Sequence, residues 1–321
     1  MRIAFAGLAT TYHPDVDARL LRDRAITELV VWGDEDGSFA ARHGARPVRS
    51  LEELVAAGPD AAVVTCRPRA VAGVVRRLAE AGIPVFVTKP AIGTAVDLDR
   101  LDQVVETAST PVTTCSVLRF APAVRRLAET VRAMEGGAAS DVLGVRVTVR
   151  HSVAAYLSPE RRWLDDPAEG GGTLATMGLH GVELASAVLG PGLDAHWASR
   201  SVRVHRGSLS EDTGVIALAW PDGRYGLVEV LGATDEDRYE VAVHTRQGTR
   251  TATLTGDVDD PFETFGYAGT VDAFLDGVRE GRAAVPWTTT REVLGAVVDA
   301  RNSAFPAVSR ADPPGTAPRR R

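Results

Sequence analysis

Lysine is almost absent from this sequence. The 321 residues contain 36 basic side chains of the Lys and Arg types, and all of them except Lys89 are Arg. Arg and Lys replace one another on most solvated surfaces, but only the ammonium of Lys can give up a proton at a working pH. The lone lysine is therefore a candidate for proton-transfer chemistry, although one lysine among so many basic positions could also be an accident of composition.

Cysteine is scarce as well. The two cysteines, Cys66 and Cys115, form no Cys-x-x-Cys pair and no cluster with histidine. This usage predicts a protein of the reducing cytoplasm without a structural zinc. No metal site is expected from the histidines either, since four of them have no partner at ligand spacing: His43, His196, His205 and His244.

Long apolar runs and an excess of positive charge are also missing. No stretch approaches the roughly 18 apolar residues of a membrane span, and the first residues, MRIAFAGL, are typical of a strand and lack the basic segment of a signal peptide. The formal net charge of −6 argues against nucleic acid or an anionic membrane as a partner. The length allows two domains of an ordinary globular protein.

The first 120 residues alternate short apolar strands with helices. Strands are predicted at 2–7, 27–36, 60–66, 84–89 and 111–117, and helices at 15–25, 50–58, 70–82 and 97–108. Strands that are apolar throughout and alternate with helices indicate a parallel sheet covered on both faces. We therefore expect residues 1–120 to form a Rossmann-type, doubly wound α/β domain.

The pattern changes after residue 120. Alternation of polar and apolar residues predicts strands at 142–153, 201–206, 213–220, 225–231, 238–245 and 249–254, and helices are expected at 120–134, 173–190, 268–281 and 289–304. Such alternation is typical of an open, mostly antiparallel sheet with one solvated face. Residues 121–305 are predicted to form an α+β domain for substrate binding and oligomerisation, and the Pro-rich residues 306–321 a disordered tail.

Three stretches occur in a distinctive order. PDAAVVTCRPRAVAGVVRRLAEAGIPVFVTKP (59–90) is a strand–helix–strand, LRFAPAVRRL (118–127) a crossover, and GGGTLATMGLHGVELASAVLG (170–190) a glycine triplet followed by a helix. Together they resemble the glucose–fructose oxidoreductase/inositol dehydrogenase (Gfo/Idh/MocA) family, whose motifs there are Glu-Lys-Pro, Arg-Phe-x-Pro and Gly-Gly-Gly with Asp-x-Gly-x-His. The likeness extends to about residue 305. It implies an oxidoreductase that uses NAD or NADP on a sugar, cyclitol or related small molecule.

The resemblance also implies catalytic roles. The family's lysine at the position of Lys89 lies between nicotinamide and substrate and helps to move the hydroxyl proton, which requires an amine whose pKa burial can lower. The family's catalytic histidine matches His180 and polarises or deprotonates the substrate hydroxyl. The alternatives are a surface lysine and a histidine satisfied inside an apolar helix. Thr176, His180 and Glu183 share one stripe of that helix.

The phosphate loop departs from the family's pattern. A dinucleotide fingerprint reads G-x-G-x-x-G, whereas residues 7–12 read Gly-Leu-Ala-Thr-Thr-Tyr. Only the first glycine is present. Main-chain N–H groups at a helix start can still bind a phosphate, so the predicted contacts are Gly7, Leu8, Ala9, Thr10 and Thr11.

Two acids of the family motifs are replaced as well. The Glu before the lysine is Thr88, and the acid four residues before the histidine is Thr176. A threonine can form hydrogen bonds but cannot serve as an anion or base at neutral pH. The catalytic trio is thereby reduced to Lys89 and His180, with Thr176 at the third position, and the charged form of Lys89 is expected to be less favoured.

Further cofactor contacts are predicted from position at strand ends. Asp34 follows the second strand, where an acid binds the ribose of NAD and repels the 2′-phosphate of NADP, although it could also be a turn acid. Thr65, Cys66 and Arg67 follow the third strand and are expected, with Thr88, to line the cofactor groove. Cys66 could equally be a small buried apolar side chain. NAD is therefore favoured over NADP.

Substrate contacts are predicted beside His180 at Arg119, Tyr156 and Trp163, and His151 is a further candidate. Arg119 could instead form an interdomain ion pair, and the others could simply pack. The leading hypothesis is an NAD-linked oxidoreductase acting on a hydroxylated small molecule and forming homo-oligomers through the C-terminal sheet. A lyase, epimerase or hydrolase on the same fold, or a non-catalytic sensor, is the alternative, since the phosphate loop and the catalytic acid are altered.

Overall fold

A computed structural model describes residues 1–9, 12–135 and 141–303. The predicted tail at 306–321 and the predicted phosphate contacts of Thr10 and Thr11 lie outside these residues. No helix in the described part of the chain is long and apolar enough to cross a membrane.

The first sheet has six parallel strands, as the alternating pattern predicted. They are β1 (Arg2–Ala6), β2 (Glu28–Trp32), β3 (Arg46–Val48), β4 (Ala61–Val64), β5 (Val85–Val87) and β6 (Val112–Thr114). Their spatial order is β3-β2-β1-β4-β5-β6, which is the doubly wound Rossmann order. The order reverses between β1 and β4, and ligands bind at the carboxyl ends of strands at such a switch point.

Helices cover both faces of this sheet. They are α1 (Tyr12–Arg22), α2 (Ser38–His43), α3 (Leu51–Ala56), α4 (Pro68–Glu80) and α5 (Ala95–Thr107). Ser50 caps α3, because its hydroxyl accepts a hydrogen bond from the N–H of Glu53. The sequence reading missed α2 and β3, which are six and three residues long, because elements this short carry too few turns of apolar periodicity.

The second sheet has six strands, and helices pack on its centre and on both ends. The elements are α6 (Pro122–Glu135), β7 (Val142–Arg150), α7 (Leu179–Leu189), β8 (Asp194–Ser201), β9 (Thr213–Ala219), β10 (Tyr225–Leu231), β11 (Arg238–Thr245) and β12 (Gly248–Thr255). Helix α7 covers the central strands, while α6 packs on β12 and α10 (Trp287–Asn302) packs on β8. Their order is β12-β11-β7-β10-β9-β8, and only the β7–β10 pair is parallel. Gly181 of α7 lies so close to Val228 that a Cβ there would collide with that side chain. The predicted mostly antiparallel sheet is thus confirmed.

The strand predicted at 201–206 is wrong. The strand in this region is β8, which ends at Ser201. The following segment turns away because the Asp212 carboxylate accepts hydrogen bonds from the N–H groups of Arg203, Val204 and His205 at 2.7–2.8 Å. Those N–H groups would otherwise have extended the sheet.

The last helices return to the first sheet. They are α8 (Pro261–Thr264), α9 (Tyr267–Glu280) and α10 (Trp287–Asn302). Phe274 of α9 packs on Phe86 of β5 with ring centroids 5.6 Å apart, and Asp102 of α5 accepts a hydrogen bond from the Trp287 indole at 2.6 Å. Helix α10 also packs on β8 of the second sheet, so these last helices join the two sheets.

The glycine triplet brings the two halves into direct contact. Gly170, with φ of +85°, lies against Gly93 in the loop after β5, and a Cβ on either glycine would collide with the other's Cα. Only glycine allows so close an approach of two backbones. This contact holds the loop that follows Lys89 against the segment that leads into α7.

Candidate active site

A cavity of about 460 Å³ lies between the two halves of the chain. It gathers residue types that are otherwise scarce, namely the only lysine, three of the seven histidines and four of the five tyrosines. Its polar lining consists of Tyr12, His13, Lys89, His151, Tyr156, Glu160, Arg161, Thr176, His180, Asp237, Tyr239 and Tyr267. A larger cavity of about 580 Å³ between α6, α7 and α9 contains no lysine, histidine or tyrosine. The chemistry therefore points to the smaller cavity.

Lys89 enters this cavity from the carboxyl end of β5. It makes no hydrogen bond or ion pair within the described part of the chain, and its peptide bond to Pro90 is cis. Burial lowers the pKa of the Lys89 ammonium to about 8, and the negative charge of Asp237 opposes part of that decrease. The preceding Thr88 is turned away, since its hydroxyl donates to the carbonyl of Val64 at 3.3 Å.

His180 approaches the same cavity from α7. Its Nδ1 lies 2.5 Å from the hydroxyl of Ser116, and that hydroxyl oxygen accepts a hydrogen bond from the N–H of Leu118. We assign the Ser116 hydroxyl as the donor to Nδ1, an arrangement in which the neutral imidazole carries its proton on Nε2. Burial, followed by the charge of Lys89, holds the pKa of His180 far below its ordinary value. His180 is therefore a neutral hydrogen-bond donor near pH 7.

Thr176 stabilises its own helical segment and does not act as an acid. Its hydroxyl donates to the carbonyl of Gly172 at 2.8 Å within the π-helical turn Leu174–Gly178 that precedes α7. The Tyr156 phenol is hydrogen-bonded to Thr176, while burial raises the pKa of Tyr156 to about 12. Thr176 thus positions the phenol of Tyr156, which stays protonated.

The predicted cofactor edge forms a tightly closed loop at the switch point. Gly7 has φ of +81°, and a Cβ on it would lie 2.6 Å from Sγ of Cys66. The N–H of Ala9 donates to the carbonyl of Thr65 at 2.9 Å, and the Thr65 hydroxyl donates to the carbonyl of Gly7. Leu8 packs partly buried against the core. Glycine is therefore required at position 7, where β1 turns beside β4.

The hydrogen bonds of Asp34 indicate which cofactor fits this edge of the sheet. Its two carboxylate oxygens accept hydrogen bonds from the N–H groups of Phe39 and Ala40 at 3.1 and 2.7 Å. A carboxylate offers about four acceptor positions, so the group is fixed at the end of β2 and keeps positions for two ribose hydroxyls. The fixed acid at this strand end fits the ribose of an NAD-type dinucleotide, whereas the predicted phosphate contacts of Gly7 and Ala9 are not available, because their N–H groups donate to the carbonyls of Trp32 and Thr65.

Two of the predicted substrate contacts lie outside the cavity. Arg119 forms an ion pair with the buried Glu183 at 2.8 Å and lines the larger cavity instead. Trp163 is buried, and the guanidinium of the exposed Arg67 lies 5.7 Å from its ring. The structure thus gives Arg119 and Trp163 packing and ion-pair contacts, which were the alternatives to substrate contacts.

The cysteines are not nucleophiles in this setting. Burial raises the pKa of Cys66 to about 11, and burial also raises the pKa of Cys115. Both thiols are therefore protonated at neutral pH. Among the described residues, no group of three or more His, Cys, Asp or Glu side chains is arranged to hold a metal ion.

The sequence reading missed several residues of the cavity. His13 follows the altered phosphate loop, and burial lowers its pKa to about 3; its ring lies 5.7 Å from that of Tyr267. Asp237 and Tyr239 come from the start of β11. The one feature of the sequence that sets these residues apart is the scarcity of their types. The chain has only five tyrosines and seven histidines, and most of the tyrosines line this cavity.

Comparison with known proteins identifies the class. Residues 2–117 match a family model described as the oxidoreductase family with an NAD-binding Rossmann fold, and residues 127–251 match the GFO/IDH/MocA C-terminal domain. The chain belongs to the Gfo/Idh/MocA family of NAD-binding oxidoreductases, as its ordered motifs predicted. No match was found among curated proteins.

Solved structures share the whole fold. GenD2 from gentamicin A biosynthesis, solved in complex with NAD, is 24% identical over 94% of this chain and 91% of its own, with a TM-score of 0.77. Myo-inositol 2-dehydrogenase from Lactobacillus plantarum is 17% identical over 95% of this chain and 97% of its own, with a TM-score of 0.79. A myo-inositol dehydrogenase from Corynebacterium glutamicum is 18% identical over 95% and 96%, with a TM-score of 0.76.

Proposed function

We propose that this protein is an NAD-linked dehydrogenase that oxidises a hydroxyl-bearing carbon of a sugar, a cyclitol or a related polyhydroxylated molecule. The observation that carries the proposal is the placement of the Lys89 amine and the His180 imidazole in one cavity, one from each half of the chain. Myo-inositol 2-dehydrogenase and GenD2 of gentamicin A biosynthesis, which was solved in complex with NAD, share the fold. When bound, the oxidised nicotinamide supplies the hydride acceptor.

The chain's own residues divide the work of moving a proton. Lys89 in its neutral form accepts the proton of the substrate hydroxyl, which its lowered pKa makes feasible near pH 8. His180 donates a hydrogen bond from Nε2 to the same oxygen and stabilises the negative charge that develops there. Because His180 stays neutral, it stabilises that charge without competing for the proton.

The remaining lining suits a ring that carries several hydroxyl groups. Tyr12, Tyr156, Tyr239 and Tyr267 combine aromatic faces with hydroxyl groups, so they can pack on the apolar face of a sugar and bond its oxygens. The volume of about 460 Å³ is in the range of small-molecule sites. A polyhydroxylated molecule of one or two rings is the substrate class that this lining favours.

Asp34 supports NAD in preference to NADP. Its carboxylate is held in place by the first turn of α2, and a negative charge there repels a 2′-phosphate. Titration with NADH and with NADPH, followed by energy transfer from tryptophan, tests this choice. Saturable NADH binding with weaker NADPH binding is expected, and Asp34→Ser should reduce the difference between the two affinities.

The same titration separates the oxidoreductase from its alternatives. The missing glycines of the phosphate loop favour an acid/base enzyme or a sensor that has lost the dinucleotide. No NADH binding up to millimolar concentration would contradict the dehydrogenase. Mass spectrometry of molecules that copurify, followed by a screen of polyols for NADH production, then identifies the substrate.

Self-association through the second sheet is part of the proposal. The face of this sheet opposite α7 carries partly exposed large side chains, including Leu143 of β7 and Tyr225 of β10. Apolar side chains on an open sheet face are a common site of protein association. Light scattering should find a homo-oligomer, and Leu143→Glu should shift it toward the monomer; a monomeric wild-type protein would contradict this.

A further inference from the structure

His151 and Asp237 are brought together by the register of the second sheet. In the antiparallel pair of β7 and β11, Arg150 lies opposite Arg238. The next residue outward on each strand is therefore His151 on one and Asp237 on the other. Their side chains meet, with Nδ1 of His151 3.2 Å from Oδ1 of Asp237, and both residues line the cavity.

Asp237 is the acid whose charge acts on the interior of the cavity. Its negative charge favours the ammonium form of Lys89 and raises the pKa of Tyr239, although burial is the larger cause of the Tyr239 increase. Glu160, the other acid of the lining, is exposed to solvent as Asp237 is, but the charge that acts on Lys89 is that of Asp237. Asp237 therefore supplies the site with a carboxylate. The helical position at which the family has an acid is occupied here by Thr176.

His151 differs from the other two histidines of the cavity. His13 and His180 are buried, and burial lowers the pKa of both. His151 keeps 36% of its side chain exposed and has a carboxylate on Nδ1. That hydrogen bond occupies Nδ1 and leaves Nε2 available for a second hydrogen bond. His151 is thus the histidine of the cavity whose ring reaches solvent.

We propose that His151, oriented by Asp237, carries the substrate's hydroxyl proton from Lys89 to solvent; this rests on the proposed dehydrogenase function. The hydroxyl O–H bond breaks and its proton joins the Lys89 amine to give an ammonium. The ammonium passes one proton to Nε2 of His151, directly or through one water, and regains its neutral form. The imidazolium then releases the proton to bulk water at the cavity mouth. His151 is the shuttle, and Asp237 is a positioning residue.

The first test measures Lys89 without substrate or cofactor. Because the chain has one lysine, labelling with [ε-¹³C]lysine gives a single side-chain resonance whose shift follows the ionisation of Lys89. The groups that face Lys89 from the surrounding elements are Tyr12, His13, His151, Tyr156, Glu160, Arg161, Thr176, His180, Asp237, Tyr239 and Tyr267. Asp237→Asn removes one negative charge from this set and should lower the midpoint by about half a pH unit or more. Asp235→Asn, an exposed residue of the same loop, is the matched control and should leave the midpoint unchanged.

An unchanged Lys89 midpoint in Asp237→Asn would overturn the proposal, because it would show that the pair of His151 and Asp237 lies too far from Lys89 to take a proton from it. The second test uses turnover once a substrate is known. His151→Ala should lower kcat by about a hundredfold in weak buffer with little change in KM. Added imidazole should restore much of the lost kcat, since a small base can replace the missing shuttle; Asp237→Asn should show a smaller loss of the same kind.

The outcomes separate this proposal from the dehydrogenase itself. Full turnover of His151→Ala in weak buffer would remove the shuttle and leave the dehydrogenase standing. A loss of kcat that imidazole does not restore would also contradict the shuttle, because it would assign His151 a structural role. Absence of NADH binding in the unmodified protein would remove the dehydrogenase, whatever the lysine titration shows.

Discussion

The hydroxyl of Ser116 lies 2.5 Å from Nδ1 of His180. Ser116 follows β6 at the edge of the first sheet, whereas His180 belongs to α7, which covers the second. One hydrogen bond therefore links the two halves of the chain and fixes the tautomer of the imidazole. The orientation of Nε2 toward substrate depends on a residue that itself need not touch the substrate.

Ser116→Ala is expected to leave His180 in place but without its tautomer control. The buried Nδ1 loses its donor, which costs about 1–3 kcal/mol of unfolding free energy. Because the proton can then move to Nδ1, kcat should fall about tenfold or more while NADH affinity is unchanged. Urea unfolding and steady-state kinetics measure the two effects, and an unaltered kcat would contradict the assigned tautomer.

Lys89→Arg is expected to abolish turnover while the protein remains folded. The guanidinium keeps the positive charge but cannot accept a proton, so kcat should fall at least a hundredfold. Arg76→Lys, at an exposed position of α4, is the control that adds a lysine elsewhere. An active Lys89→Arg enzyme with unchanged circular dichroism would show that this residue is not the proton acceptor.

The rate of substrate oxidation should rise with pH. Oxidation requires the neutral amine of Lys89, whose pKa is about 8, so kcat/KM should increase through this region and level off above it. His180 adds no second inflection to the pH profile near neutrality, because its pKa lies far below the ordinary value. A profile that is flat between pH 6 and 9 would contradict the role of Lys89.

Arg119→Met is expected to impair stability and leave substrate binding intact. The substitution leaves Glu183 buried without its partner, which costs about 3 kcal/mol of unfolding free energy. Glu183→Gln in the same background should recover part of that loss by removing the buried charge. A raised KM at unchanged stability would instead favour the alternative that Arg119 binds substrate.

Asp17 on α1 should reduce stability at alkaline pH. It is buried, its Oδ2 has no hydrogen-bond partner among the described residues, and burial raises its pKa to about 7. The folded state therefore binds more protons than the unfolded state between about 4 and 7, and stability falls as pH rises through that window. His13 has the opposite slope, because its lowered pKa makes stability rise with pH between about 3 and 6.5.

Asp17→Leu separates these opposing contributions. The variant should gain at most about 4 kcal/mol of unfolding free energy at pH 8. Its stability should also increase with pH from 4 to 6.5 more steeply than that of the wild type, because the slope from His13 is then unopposed. Urea unfolding across this range makes the comparison, and a wild-type curve parallel to that of the variant would contradict the buried acid.

The sequence predicted the parts of the site that depend on local pattern. Lys89 and His180 could be found because each lies in a motif at the end of a strand or on a helix. His151 was a candidate from its position, but its contact with Asp237 could not be predicted, because that contact follows from the pairing of β7 with β11, and 86 residues separate the two in sequence. The segment after Ser201 has strand-like alternation, but three hydrogen bonds to Asp212 turn it into a loop.

The most direct measurement is the titration of the single lysine in the unmodified protein. With [ε-¹³C]lysine incorporated, one resonance should report a midpoint near pH 8 for Lys89. A midpoint near 10.4, the value of a solvated lysine, would show that the Lys89 amine does not accept a proton from a substrate at neutral pH.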